Sequence, residues 1–137
     1  MECTCIVYIS EATVSLSEAA LLTLLRQARA EHEQAGLTGF LFYHEGCFMQ
    51  VLEGPPAQVR EFFSRIAADP RHCKVEVLAD GPLPCREFVA WHMCFARAGT
   101  CPLPDVCTLP ELQALVQATS VEPLLTEFLS RCHVPLM

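Results

Sequence analysis

Gln50 is an uncharged polar residue inside an apolar run, between Met49 and Val51. A buried carboxamide left unpaired costs about 1–3 kcal/mol, so its partner bears directly on what the protein does. An amide carries a donor and an acceptor side by side. Other polar groups stand at informative places. Tyr8 lies near the end of the first apolar run, where taken alone it reads as a core tyrosine with its hydroxyl at the sheet rim. Glu31 and His32 sit where the first helix ends, and either turn to water, as last-turn residues do, or face a site. Arg65 borders an apolar stripe, either covering it with its stem or reaching into a site. No Ser-His-Asp pattern is visible, so an enzyme is not expected. Nine cysteines occur without CxxC or HxxxH spacing. No metal site is expected, and the cysteines read as small hydrophobes in a reducing cytoplasm.

The elements that must position these residues follow from periodicity. Residues 3–9 are β-branched and apolar on both faces, a central strand. Ser15 and Glu18 make a capping box, with Ser15 as N-cap. The helix that follows runs to about Gln34 and stops at Gly36. Leu21, Leu25 and Ala28 mark its buried stripe, which His32 extends, while Glu31 falls in line with Leu24 and Ala28. Residues 40–43 and 47–52 form two strands joined through His44-Glu45-Gly46. Pro55-Pro56 opens a second helix ending near Ala68, with Val59, Phe62, Phe63 and Ile66 as its stripe. Asp69-Pro70-Arg71-His72 is its exit turn. Strands are expected at 74–79 and 87–95, separated by a loop at 80–84. A connector over 99–105 leads to helices at about 109–118 and 121–132.

The fold class is therefore α+β: a ferredoxin-like βαββαββ with a mixed five-stranded sheet, two helices on one face and a C-terminal helical tail. A groove runs between the two helices. Residues 1–98 read as the main domain, and 99–137 as a connector and short helical cap. The tail helices, a second subunit, or both must cover the other sheet face.

Composition excludes several classes. The 137 residues carry a net charge of −7, and Lys74 is the only lysine, so nucleic acid is not an expected partner. With 52% hydrophobic and 18% charged residues, disorder is excluded as well. No apolar run approaches the ~20 residues of a membrane span, and the N-terminus lacks the basic start of a signal peptide. A cytoplasmic protein is expected.

Taken together, Tyr8, Gly36-Leu37-Thr38-Gly39, Phe48-Met49-Gln50-Val51-Leu52-Glu53-Gly54, Asp69-x-Arg71-His72 and Trp91-x-Met93 resemble the BLUF domain, a blue-light sensor that uses flavin. The resemblance spans about residues 5–95. It implies that the ring of FAD (or FMN or riboflavin) lies in the groove between the helices. Tyr8 would then give an electron to the excited flavin. Gln50 would bridge Tyr8 and the flavin edge, and would rotate or tautomerise in light. The change would pass to the strand carrying Trp91 and Met93. Arg65 would approach the pyrimidine edge, with Glu31 and His32 nearby. Asp69, Arg71 and His72 would lie toward the flavin side chain and its phosphates. The family usually has asparagine where this chain has His32, and some members have one where it has Glu31. An asparagine amide can give and accept on one edge, which imidazole cannot. Losing one such bond costs roughly 2–4 kcal/mol, about a 30- to 1000-fold loss of affinity. The expected partners are flavin, a homo-oligomer and an unidentified downstream protein. A flavin-free interaction module on the same fold is the alternative.

Overall fold

In this computed structural model, residues 3–13, 17–88, 94–97 and 106–131 are described. Ten elements follow one another: β1 (Cys3–Ala12), α1 (Glu18–Ala35), β2 (Thr38–His44), β3 (Cys47–Gly54), α2 (Pro56–Ala68), β4 (His72–Leu83), β5 (Cys94–Arg97), β6 (Val106–Thr108), α3 (Leu109–Val116) and α4 (Glu122–Arg131). They form one sheet in the order β4-β1-β3-β2-β5-β6. The first four strands are antiparallel to their neighbours, and β5 and β6 add in parallel beyond β2.

The sheet is mixed, as expected, but it has six strands among the described residues rather than five. The sixth, 106–108, is too short to leave a periodic signal and exists because β5 offers it an open edge. Of the strand expected at 87–95, residues 87–88 form a bend, Cys94 and Phe95 belong to β5, and 89–93 lie outside the described residues. At the other edge, β4 reaches from His72 to Leu83, so the loop expected at 80–84 is largely strand. Asp80, Gly81 and Pro82 pair with Ile6, Cys5 and Thr4. Proline is tolerated there because β4 is an edge strand and its outer side needs no N–H.

The local signals explain the rest. The cap of α1 is Ser17, whose hydroxyl accepts from the Ala20 N–H at 3.1 Å; Glu18 is thus the first helical residue instead of the third. Ser15 and the side chains of Leu21 and Leu25 lie outside the described residues. Gly36 closes the helix in the left-handed conformation. In the β2–β3 hairpin both turn residues, Glu45 and Gly46, take positive φ, which matches the twist of the flanking strands. Proline at the first position starts α2.

Alternation along β1 and β3 divides the core in two. Ile6, Tyr8, Phe48 and Leu52 face α1 and α2, where Leu37, Leu41, Val59 and Phe62 join them. Cys5, Val7, Met49 and Val51 face the other way, against Leu112, Val116, Leu125, Phe128 and Leu129. The tail helices therefore cover the second sheet face themselves. The ring of Phe128 meets Phe42 edge-on at 5.7 Å. No helix among the described residues is long and apolar enough to cross a membrane.

Candidate functional site

The partner that Gln50 requires is Tyr8. The antiparallel register of β1 and β3 sets the two residues opposite each other, and Tyr8 Oη donates to Gln50 Oε1. Both are buried. Burial first, and then the negative charge of Asp69, hold the Tyr8 hydroxyl well above the usual phenol range. The proton therefore stays on Oη, and the phenol serves the amide as donor.

Beside this pair, a cavity of about 260 Å³ opens between α1 and α2, near the small end of the range for small-molecule sites. Its apolar walls are Leu24, Ala28, Leu41, Phe62 and Ile66. Gln50 lines it from the sheet, Gln27, Glu31 and His32 from α1, and Arg65 from α2. Asp69, Arg71 and His72 complete it. The fold thus gathers Glu31, His32, Gln50, Arg65, Asp69, Arg71 and His72 around one space, and Tyr8 reaches that space through Gln50. Trp91 and Met93 lie outside the described residues.

The structure separates the two residues at the end of α1. His32 turns inward and is 2% exposed, whereas Glu31 is exposed at the cavity rim. His32 Nδ1 bonds the carbonyl of Ala28 on its own helix, so the imidazole has at most one further nitrogen to offer a ligand. Its ring packs on Phe62 at 4.8 Å between centroids, and the Arg65 guanidinium lies 4.4 Å over that same ring. Arg65 therefore both covers Phe62 and lines the cavity.

Two of the charged groups at the cavity, Asp69 and Arg71, pair with each other. Arg71 donates from Nε and Nη2 to the Asp69 carboxylate at 2.6–3.1 Å, and this pairing holds the Asp69 carboxyl below its usual range. Any phosphate approaching Arg71 must share it with Asp69.

His72 lies against Phe48 at 4.9 Å, with Nδ1 3.0 Å from Ser10 Oγ. Burial pushes its pKa below the usual 6.5. The unfolded chain therefore binds this proton first on acidification. Stability should fall as pH drops below about 6.5 and level off below the folded value. Urea midpoints at pH 7.5 and 5.5 check this: His72→Asn should reduce the difference between them, and an unchanged difference would reject the assignment.

The sequence assigns neither Gln27 to the cavity nor a separate role to Glu53. Gln27 lines the cavity one helical turn before Glu31, a spacing that could have flagged it. Glu53 is fully buried and grips the chain at 87–88, and its place at the end of the apolar β3 run was the available signal.

Comparison with known proteins places this geometry. The family model described as BLUF, sensors of blue-light using FAD, matches residues 3–94. The photoactivated adenylate cyclase subunit beta of Euglena gracilis is 40% identical over 73 residues, which is 53% of this chain and 8% of that protein. The alpha subunit from the same organism is 40% identical over 73 residues, 53% of this chain and 7% of the relative. The chain thus spans under a tenth of the length of these relatives. Among solved structures, the BLUF protein BlrB in its dark state superposes with a TM-score of 0.67 at 29% identity, covering 90% of this chain and 83% of that one. BlrP1 of Klebsiella pneumoniae, with FMN and cyclic diGMP, shares the fold with a TM-score of 0.74 at 24% identity, over 93% of this chain and 34% of that chain.

Proposed function

The chain belongs to the BLUF family of blue-light sensors using FAD, and from that premise we propose that its Tyr8–Gln50 pair is the light-operated switch and that the cavity between α1 and α2 takes the flavin ring. The observation that carries this reading is the buried Tyr8 Oη to Gln50 Oε1 hydrogen bond directly beside the cavity.

The residues present fit a flat ring with polar edges. Leu24, Leu41 and Ile66 offer apolar surface for its faces, and Gln50, His32 and Arg65 offer hydrogen bonds for its rim. When bound, the flavin supplies the blue absorption and the redox partner that the side chains lack. The protein supplies the rest. Tyr8 holds its proton at Oη against Gln50 Oε1 and can pass it along that bond. Gln50, with its donor and acceptor ends, can turn its amide or tautomerise and so present a different group to the cavity. Both side chains are buried, so the exchange takes place away from bulk water. Glu31, Asp69, Arg71 and His72 serve the cofactor's outer part, with the Asp69–Arg71 pair limiting how much charge it meets. FMN and riboflavin carry the same ring as FAD, so the cavity would take them as well. Trp91 and Met93 keep, by family resemblance, a role in carrying the switch onward.

We read the β4-β1-β3-β2 core with its two helices as ferredoxin-like, extended by β5. Residues 1–98 would form the sensor and 99–137 the cap. A homo-oligomer or a downstream protein would meet the outer surface of α3 and α4, since these helices already cover the sheet. A cytoplasmic setting is supported by the free cysteines Cys3, Cys5, Cys47, Cys73 and Cys85.

The test is the absorption spectrum of purified protein before and after blue illumination, with a flavin titration beside it. Yellow protein with a small reversible red shift supports the reading; colourless, well-folded protein from riboflavin-supplemented expression rejects it. His32→Asn should raise flavin affinity about tenfold or more, because an amide restores donor and acceptor on one edge. An unchanged or weaker Kd would show that His32 does not limit binding.

A further inference from the structure

The carboxylate of Glu53 is completely buried, yet it lies outside the cavity. Oε1 accepts from Thr38 Oγ1 at 2.7 Å and from the backbone N–H of Phe88 at 2.7 Å. Oε2 accepts from the backbone N–H of Glu87 at 3.0 Å. Arg86 closes the cluster through Nη1, 3.1 Å from Thr38 Oγ1 and 3.5 Å from the Glu53 carbonyl. A buried carboxylate is tolerated only with such a set of donors, and those donors fix where the chain at 86–88 must sit. An apolar side chain would fill the same volume without specifying that position.

Glu53 also stands in a telling place on its strand. It is three residues from Gln50, about 10 Å along β3. The alternation of the strand puts Gln50 on the α1–α2 side and Glu53 on the side of Met49 and Val51, which pack with the tail helices. The grip continues from there. The Glu87 side chain accepts from both the backbone N–H of Ser120, at 2.9 Å, and the Ser120 hydroxyl. Ser120 lies in the turn between α3 and α4, next to Val121, which belongs to the same buried cluster as Phe88.

We propose that Glu53 is a positioning residue that couples the Gln50 strand to the α3–α4 cap, its carboxylate holding the backbone at 87–88 and Glu87 holding the turn at Ser120. A displacement of β3 then reaches the outer helices through two carboxylates in series, without passing through the cavity. The light-driven use of this connection rests on the photoreceptor reading above; the coupling itself is a property of the dark protein.

Hydrogen exchange resolved by mass spectrometry, with absorbance recorded on the same samples, separates the two. In the dark, Glu87→Ala should speed exchange of the amides at 120–129 roughly ten- to hundredfold, with flavin content unchanged. Under blue light, wild-type protein should show altered exchange at both 86–88 and 120–129. Glu87→Ala should keep the red shift and the change at 86–88 but lose the change at 120–129. Glu53→Gln places an amide donor against a backbone donor and should lose both changes while keeping the red shift. If Glu53→Gln does not fold, Glu87→Ala alone decides, since it removes only the outer grip. Wild-type dark exchange at 120–129 in Glu87→Ala overturns the coupling whatever the flavin does. So does a wild-type-sized light response at 120–129 in that variant, or a red shift in wild-type protein with no response there. Absence of any red shift in wild-type protein counts against the photoreceptor reading instead, and the dark comparison still decides the coupling.

Discussion

Tyr8→Phe is expected to abolish the light-induced red shift while leaving flavin bound. The phenol is fully buried and is the donor to Gln50 Oε1. Phenylalanine keeps the ring, including its tilted contact with Phe63 at 5.5 Å, and removes only the hydroxyl. The Gln50 carbonyl then loses its donor inside an apolar layer, at a cost of about 1–3 kcal/mol in stability. Tyr8 does not itself line the cavity, so the space for the ring and its polar rim are unchanged. Binding should therefore survive while the proton that the switch moves is gone. The checks are a dark-minus-lit difference spectrum on yellow protein and a urea midpoint beside wild type. A variant that shifts normally would remove Tyr8 from the switch and leave it a core tyrosine.

Gly39→Ala should cost roughly 4 kcal/mol or more, enough to unfold a domain of ordinary stability or leave it marginal. Gly39 has φ of 143°, which side-chain-bearing residues rarely adopt. A Cβ built there falls 1.9 Å from the Val51 carbonyl oxygen and 2.8 Å from its carbon. Both are backbone atoms of β3, so no rotamer change can relieve the contact. The only escape is to part β2 from β3, next to the strand position that carries Gln50. Chemical denaturation checks this directly. A Gly39→Ala protein within 1 kcal/mol of wild type would show that the two strands are not held at this separation. By contrast, Gly46 has nothing within 4 Å of its would-be Cβ.

Much of the molecule is written in local patterns. The hairpin around Glu45-Gly46, the Gly36 stop, the proline start of α2 and the apolar stripe of α2 are all short-range features that burial and dihedral limits impose on neighbouring residues. The need of Gln50 for a partner could be read from one polar side chain in an apolar run, and the proximity of Tyr8 from the strand order. Other features depend on residues far apart in the chain. Whether Glu31 or His32 enters the cavity depends on how α1 rolls against Phe62, and helical spacing alone left both open. By resemblance Asp69 and Arg71 face a ligand, and only the turn geometry shows them bound to each other. The length of β4 follows from pairing with β1 along its whole edge, since its exposed residues carry little apolar pattern. The anchoring of 87–88 by Glu53 joins positions more than thirty apart, and no periodicity records such a pair. Sequence by itself thus determined which residues must be buried and which polar group needed an answer, because those constraints act within a few residues. Tertiary structure alone decided which distant donor meets which acceptor, because a hydrogen bond depends on where two segments dock and each segment carries only its own half.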